Sequence, residues 1–201
     1  MSRRQEERLK RDALKAALPV YFRDESRFSE GYMVDAITSE CETVSEDCVF
    51  KCNDGVYYVK LCGNGEAFEN EREMYDRLNA EQNREIYDLF LHPIPYNDNQ
   101  DFMLIFDNTE KQMYNLCEYY RRGKKYQTFL KKSFPLIKEM IITLNAAGYF
   151  HNDIHAGNIL YEENAGRFYF IDLEKMTLGK GENDDLSAFE ELMDTIAKCP
   201  Y

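Results

Sequence analysis

Apolar and polar positions follow several distinct textures along the chain. Leu9, Ala13, Leu14, Ala17 and Leu18 recur at helical spacing within a charged stretch that Pro19 ends, so Arg4 to Leu18 reads as an appended helix whose apolar stripe docks on its own domain. From Tyr32 to Leu61 the texture changes to short β-like runs. The clearest pair, Cys48 to Cys52 and Val56 to Leu61, flanks Asn53-Asp54-Gly55, a turn sequence that predicts a hairpin. Gly63 and Gly65 break the chain; Phe68, Met74, Tyr75 and Leu78 then fall at helix-compatible intervals and predict a helix over Glu66 to Ala80. Leu91 to Ile94 and the apolar run Phe102 to Phe106 predict a further strand pair. Met113 to Arg121 reads as a short helix. Tyr126 to Ala147 reads as a long one, with Phe129, Phe134, Leu136, Ile137, Met140, Ile141 and Leu144 facing a core and Gly148 at its end. Two short strands, Ile159 to Tyr161 and Arg167 to Ile171, meet at a turn around Asn164-Ala165-Gly166, and a tail helix covers Asp184 to Ala197. The pattern is that of an α+β chain with no internal repeat and no linker between independent domains.

Composition narrows the function classes. With 201 residues, 44% hydrophobic and 31% charged, the chain can bury a core, which excludes collagen-like and low-complexity readings. Thirty-seven acidic against 25 basic residues give a net charge of -12, so neither nucleic acid nor an anionic lipid surface is an expected partner. The six cysteines show no CxxC pair, and three histidines do not complete a zinc-ligand set. Reduced thiols and a cytoplasmic setting are the plain expectation, which a viral or bacterial protein acting in a host cytosol also meets. The charged N-terminus lacks the apolar stretch of a secretory signal, and nowhere do eighteen apolar residues run together to span a membrane.

Chemistry concentrates in two segments. His151-Asn152-Asp153-Ile154-His155-Ala156-Gly157-Asn158-Ile159-Leu160 is followed, one hairpin later, by Phe170-Ile171-Asp172-Leu173-Glu174, so two acids and an asparagine stand at the ends of apolar strands. That set suits phosphoryl transfer, in which one carboxylate orients an acceptor hydroxyl while an amide oxygen and a second carboxylate offer hard ligands to magnesium on ATP phosphates. Taken singly, Asp153 and Asn158 read as loop residues held by Asx hydrogen bonds, and Asp172 as a strand-end cap. Jointly those readings become improbable.

In HNDIHAGN and IDLE the chain resembles the protein-kinase-like superfamily, whose catalytic loop reads H-x-D-x-x-x-x-N and whose metal-binding strand end reads Asp-Phe-Gly or a variant. The resemblance covers roughly residues 32 to 178. It implies a two-lobed α+β fold: an N-terminal helical extension over 1–30, a small lobe of antiparallel sheet with one key helix over 31–107, and a truncated helical lobe over 108–201. It further implies that Asp153 accepts or orients the hydroxyl proton and that Asn158 and Asp172 hold magnesium. Lys60, at the end of the hairpin, would contact the α and β phosphates, with Glu71 holding it and Glu69 and Glu73 as weaker candidates. ATP and magnesium would sit between a hinge at Phe106-Asp107-Asn108 and the catalytic loop. His151 is expected to brace the backbone at the strand-end aspartate. The implied partners are a nucleotide and a hydroxyl acceptor, with a protein serine or threonine favoured.

Three departures from the pattern bear on function. Between Ser39 and Cys48 there is no glycine, while Glu40, Glu42, Glu46 and Asp47 would repel phosphates unless they face solvent. Asp-Leu-Glu replaces Asp-Phe-Gly, so Glu174 lacks the freedom to flip and Asp172 is expected to stay in place. Twenty-nine residues follow Asp172, which fits a minimal kinase without control by activation-loop phosphorylation. His155 resembles the corresponding residue of aminoglycoside, choline and lipopolysaccharide-type kinases and of several atypical protein kinases, which makes a small-molecule acceptor the rival enzyme reading. A pseudokinase acting as a binding module is the reading from another class, favoured by the glycine-free loop. Arg121, Arg122, Lys124 and Lys125 form a basic cluster, either a solvated loop or a dock for an acidic group.

Overall fold

The computed structural model describes residues 42–45, 49–52, 57–61, 65–80, 83–93, 103–107, 112–179 and 184–196, a mixture of helices and antiparallel sheets. The expected helix over 4–18, the turn at 53–55, the hinge residue Asn108 and most of the glycine-free stretch lie outside the described residues. Two compact units group within the chain: residues 1–69 with 92–110, and residues 70–91 with 111–201.

In the first unit, β1 (Glu42–Ser45), β2 (Val49–Cys52), β3 (Tyr57–Leu61) and β4 (Met103–Asp107) form one antiparallel sheet in that order. β2 and β3 are the arms of the expected hairpin, with Cys52 opposite Tyr57 and Val49 opposite Lys60. β4 lies on the other side of β3, placing Leu104 opposite Lys60 and Asp107 opposite Tyr57. Residues directly opposite share a face, so Lys60 shares one with the buried Leu104, while the buried Val59 points to the other. The Lys60 backbone is thus held by ladders on both sides. The expected strand at Leu91 to Ile94 does not form over Leu91–Pro93, and the partner of β4 is β3 instead. The Leu91 N–H is committed to the Phe170 carbonyl at 3.2 Å, and Pro93 has no N–H to give a ladder.

Helix α1 (Gly65–Ala80) follows the hairpin. Phe68, Glu71, Tyr75 and Leu78, spaced i, i+3, i+7 and i+10, make its buried stripe. A carboxylate at such a position must be satisfied internally, since burying an unpaired charge is prohibitive.

In the second unit, Asn83 caps the short helix α2 (Arg84–Tyr87) by accepting from the Glu85 N–H at 3.0 Å. The strand β5 (Met113–Asn115) runs into helix α3 (Leu116–Arg121), where a single helix over Met113 to Arg121 was expected. Asn115 and Glu118 explain the later start: they form a capping box at 2.8 and 3.1 Å. Helix α4 (Lys124–Ala146) buries Leu130, Phe134, Ile137, Met140, Ile141 and Leu144. Leu136 falls outside that arc and is 54% exposed, contrary to its expected place on the core face.

Beyond α4 come β6 (Tyr149–Phe150), β7 (Ile159–Glu162), β8 (Arg167–Phe170), β9 (Thr177–Leu178) and helix α5 (Asp185–Ile196). β7 and β8 are the expected hairpin and pair with β5 in the order β5-β7-β8; β6 pairs with β9. Phe170, at the end of β8, is fully buried and packs against the rings of Phe90 and His151, with centroids 6.0 and 5.7 Å away. Its N–H donates to the Leu89 carbonyl at 2.8 Å. α5 packs on α4 through an edge-to-face pair of Phe134 and Phe189. No helix among the described residues is long and apolar enough to cross a membrane. Phe170→Ala is expected to lower unfolding free energy by about 3–5 kcal/mol in denaturant titration, since it empties a site that joins three segments; a loss below about 1 kcal/mol would mean that Phe170 is not central to this core.

Candidate active site

The loop between β6 and β7 is built around backbone groups that have no secondary-structure partner. The N–H groups of His151 and Asn152 both donate to the Asp185 carboxylate, to Oδ2 and Oδ1 respectively, at 2.8 Å each. Asp185 is 1% exposed and opens α5, so the positive end of that helix also favours its charge. Removing this acceptor would leave two N–H groups unsatisfied, a cost of about 1–3 kcal/mol for each that is buried. Asn152 takes a positive φ of 59° and its amide nitrogen donates to the Phe150 and Lys175 carbonyls and to Thr177 Oγ1.

His151 is fully buried, and its Nε2 lies 3.0 Å from the Ile171 carbonyl. A carbonyl only accepts, so Nε2 carries the proton and Nδ1 is a bare lone pair; that nitrogen has no partner and is buried. Burial accordingly holds the imidazole below its ordinary pKa of 6.5, against the opposing influence of the Ile171 contact and of Asp185, Asp172 and Asp153. The bond ties the loop to the residue before Asp172.

A second tie fixes the strand ends. The Ile171 N–H donates to the Asn158 carbonyl at 3.1 Å, and Asn158 Nδ2 donates to the Asp153 carbonyl at 3.0 Å and to its Oδ2 at 3.3 Å. Asp172 follows at a φ of 66°, a left-handed conformation that Asp and Asn tolerate better than other residues with a Cβ. Glu71 of α1 then accepts from the Leu173 N–H at 3.0 Å through Oε1, a bond across 102 positions that gives this buried carboxylate a partner. Glu71, Asp153, Asn158 and Asp172 are therefore brought together within the second unit. Lys60 and Asp107 belong to the first, on β3 and at the end of β4.

Two groups at the site were not anticipated from sequence. Lys175 Nζ contacts Asp153 Oδ1 at 3.0 Å, and that hydrogen bond pushes the ammonium pKa up. Asp185 is the other: its only sequence signal is the pair Asp184-Asp185 ahead of an apolar helix, which reads equally well as ordinary first-turn acids. His155 is half exposed; its Nδ1 accepts from the Gly157 N–H at 3.0 Å, and its Nε2 stands 3.9 Å from Asp153 Oδ2. A Cβ on Gly157 would meet the His155 ring at 2.9 Å, so the glycine makes room for it.

Among the described residues no group of three or more His, Cys, Asp and Glu side chains is arranged to hold a metal alone. Asp172 and Asn158 nevertheless fit magnesium, which takes one or two protein oxygens and completes its shell from phosphate and water. Both side-chain hydrogen bonds of Asn158 leave through Nδ2, so its amide oxygen is the group available to accept.

No family model matches the chain, and no curated protein does. Among solved structures, a kinase of the Cydia pomonella granulovirus, PK-1, is similar at 19% identity and a TM-score of 0.38. The match covers 72% of this chain and 55% of that one, so the chain spans about half the length of the viral kinase.

The state of His151 has a consequence for stability. Its folded pKa is lowered, so the unfolded chain binds the proton first and stability falls as pH drops below about 6.5 toward the folded value. Unfolding free energy measured from pH 7 to 5 should decline more steeply in the wild type than in His151→Gln; parallel curves would show that the imidazole does not stay neutral in the fold.

Proposed function

We propose that the chain is an ATP- and magnesium-dependent phosphotransferase of protein-kinase-like fold that acts on a hydroxyl. The observation that carries this reading is the junction of the two loops. The Asn158 carbonyl holds Ile171, the Asn158 amide holds Asp153, and Asp172 follows in a fixed left-handed conformation. A proton acceptor and two oxygen ligands thereby share one rigid frame, and in phosphoryl transfer most of the rate comes from such positioning and from electrostatics.

Asp153, half-buried and hence open to a ligand, takes up the acceptor's hydroxyl proton. As it does so the alcohol oxygen bonds to the γ-phosphorus, and the bond from that phosphorus to the ADP oxygen breaks, the electron pair leaving with ADP. Asp172 and Asn158 would hold magnesium, which would supply positive charge to offset that of the phosphates. Glu71 positions the segment that carries Asp172 through the Leu173 N–H. Lys60 is assigned to the α and β phosphates on its motif alone, and Asp107 and Asn108 to the hinge.

A protein serine or threonine is the acceptor implied by the resemblance. A small-molecule acceptor is favoured by one observation, the building of His155 into the loop through Gly157, because H-x-D-x-H-x-x-N resembles small-molecule kinases as well as several atypical protein kinases.

The test is a thermal-shift titration of the full chain with ATP and ADP, each with and without magnesium. Binding to the folded state at a hundred times Kd adds about 2.7 kcal/mol of apparent stability. A magnesium-dependent shift is expected in the wild type and not in Asp172→Asn, a substitution chosen because asparagine tolerates the positive φ. Lys60→Met should keep wild-type stability while losing transfer of labelled phosphate to protein or small-molecule acceptors. Absence of any shift at millimolar nucleotide would overturn the reading in favour of a binding module.

A further inference from the structure

Lys175 lies outside every motif that the sequence resemblance uses, yet its ammonium is in hydrogen-bond contact with Asp153. Its backbone is well held. The Lys175 carbonyl accepts from Asn152 Nδ2 at 2.9 Å, and the next residue closes a turn through Met176 N–H to the Leu173 carbonyl at 3.0 Å. Its side chain, by contrast, is 61% exposed. An ion pair that open to solvent contributes about 0–1 kcal/mol to stability, so the fold gains little from placing an ammonium there.

The contact makes more sense as chemistry. An acceptor activated by Asp153 must approach a phosphoryl group with negative equatorial oxygens, and those oxygens repel the carboxylate itself. A cation between the two removes that repulsion and stabilises the charge that spreads over the transferring group. His155 presents Nε2 toward the other side of Asp153, 3.9 Å from Oδ2, while Asn158 reaches the same oxygen as a neutral donor. Lys175 is the residue of this trio with a permanent charge, three donors and a flexible stem, and the carboxylate needs only one of the three donors.

We propose that Lys175 is the phosphoryl-binding cation of this site, held on Asp153 in the free protein and shared with the terminal phosphoryl oxygens of the bound nucleoside triphosphate. This rests on the phosphotransferase reading above. It carries a specific signature: ATP carries a γ-phosphoryl group and ADP lacks it, so Lys175 contributes to the binding of one and not of the other.

The experiment compares the full-length wild type, Lys175→Met and Lys175→Arg by calorimetric titration with magnesium-ATP and magnesium-ADP, together with thermal unfolding of each. The wild type should bind ATP more tightly than ADP. Lys175→Met should lose that preference while its ADP affinity and unfolding temperature stay at wild-type values, and Lys175→Arg should restore most of it. Where an acceptor is in hand, turnover in Lys175→Met should fall by about 10²–10³-fold, the scale for losing one preorganised charge-stabilising group. A variant that keeps the wild-type preference for ATP, or a wild type with none, overturns the role of Lys175 and leaves the phosphotransferase reading standing. A wild type that binds neither nucleotide overturns both.

Discussion

The geometry of the site depends on one buried carboxylate. Asp185 accepts from two successive backbone N–H groups, those of His151 and Asn152, and so fixes the entry of the loop that carries Asp153. Such a loop cannot satisfy itself: its residues are too few for a helix and too irregular for a ladder, and its first residue is buried where water does not supply the missing acceptor. The cost of burying the Asp185 charge is met by those two donors and by its place at the start of α5. Everything that follows in the loop, from the His151 bond to Ile171 to the Asn158 bond with Asp153, presupposes that this entry is held.

From there the constraints converge on three residues. Ile171 is gripped on both its polar groups, by Asn158 at the N–H and by His151 at the carbonyl; Leu173 is gripped at its N–H by Glu71. Asp172 lies between them at a φ of 66°. A non-glycine residue in that region persists only where its surroundings over-determine it, at a cost of order 1–3 kcal/mol. Here the surroundings are the flanking bonds. The Asp-Leu-Glu sequence is consistent with this arrangement, because a site whose aspartate is fixed from both sides has no use for a glycine two residues on.

What could be read from the sequence divides along the range of the interaction. The β2–β3 hairpin, α1, α4, the β7–β8 hairpin and α5 rest on local patterns, and they form within a few residues of where periodicity and turn chemistry put them. The loop residues Asp153, Asn158 and Asp172 were legible because their identities are fixed within one short window. Lys175 and Asp185 were not, since they reach the loop from 22 and 34 residues away and carry no pattern of their own. The same limit explains β4, whose apolar run announced a strand but not that its partner is β3, and the β6–β9 pair, each strand being two residues long. Leu136 failed for a different reason: a helix as long as α4 offers more apolar residues than one face can bury.

Four acids meet in this part of an acidic chain, and burial separates what each can do. Glu71 and Asp185, 0% and 1% exposed, are committed to backbone N–H groups and hold segments in place. Asp153 and Asp172 stay half-buried, within reach of solvent and hence of a ligand. Had all four been equally exposed, their mutual repulsion would have been screened and their positions loose; had all four been buried, none would have met a substrate and the uncompensated charge would have been prohibitive. The division separates two buried carboxylates that hold backbone from two that solvent reaches. That is why the exposed pair is readable in sequence as a motif, whereas Asp185, and the bond by which Glu71 holds Leu173, emerge only when the chain is folded.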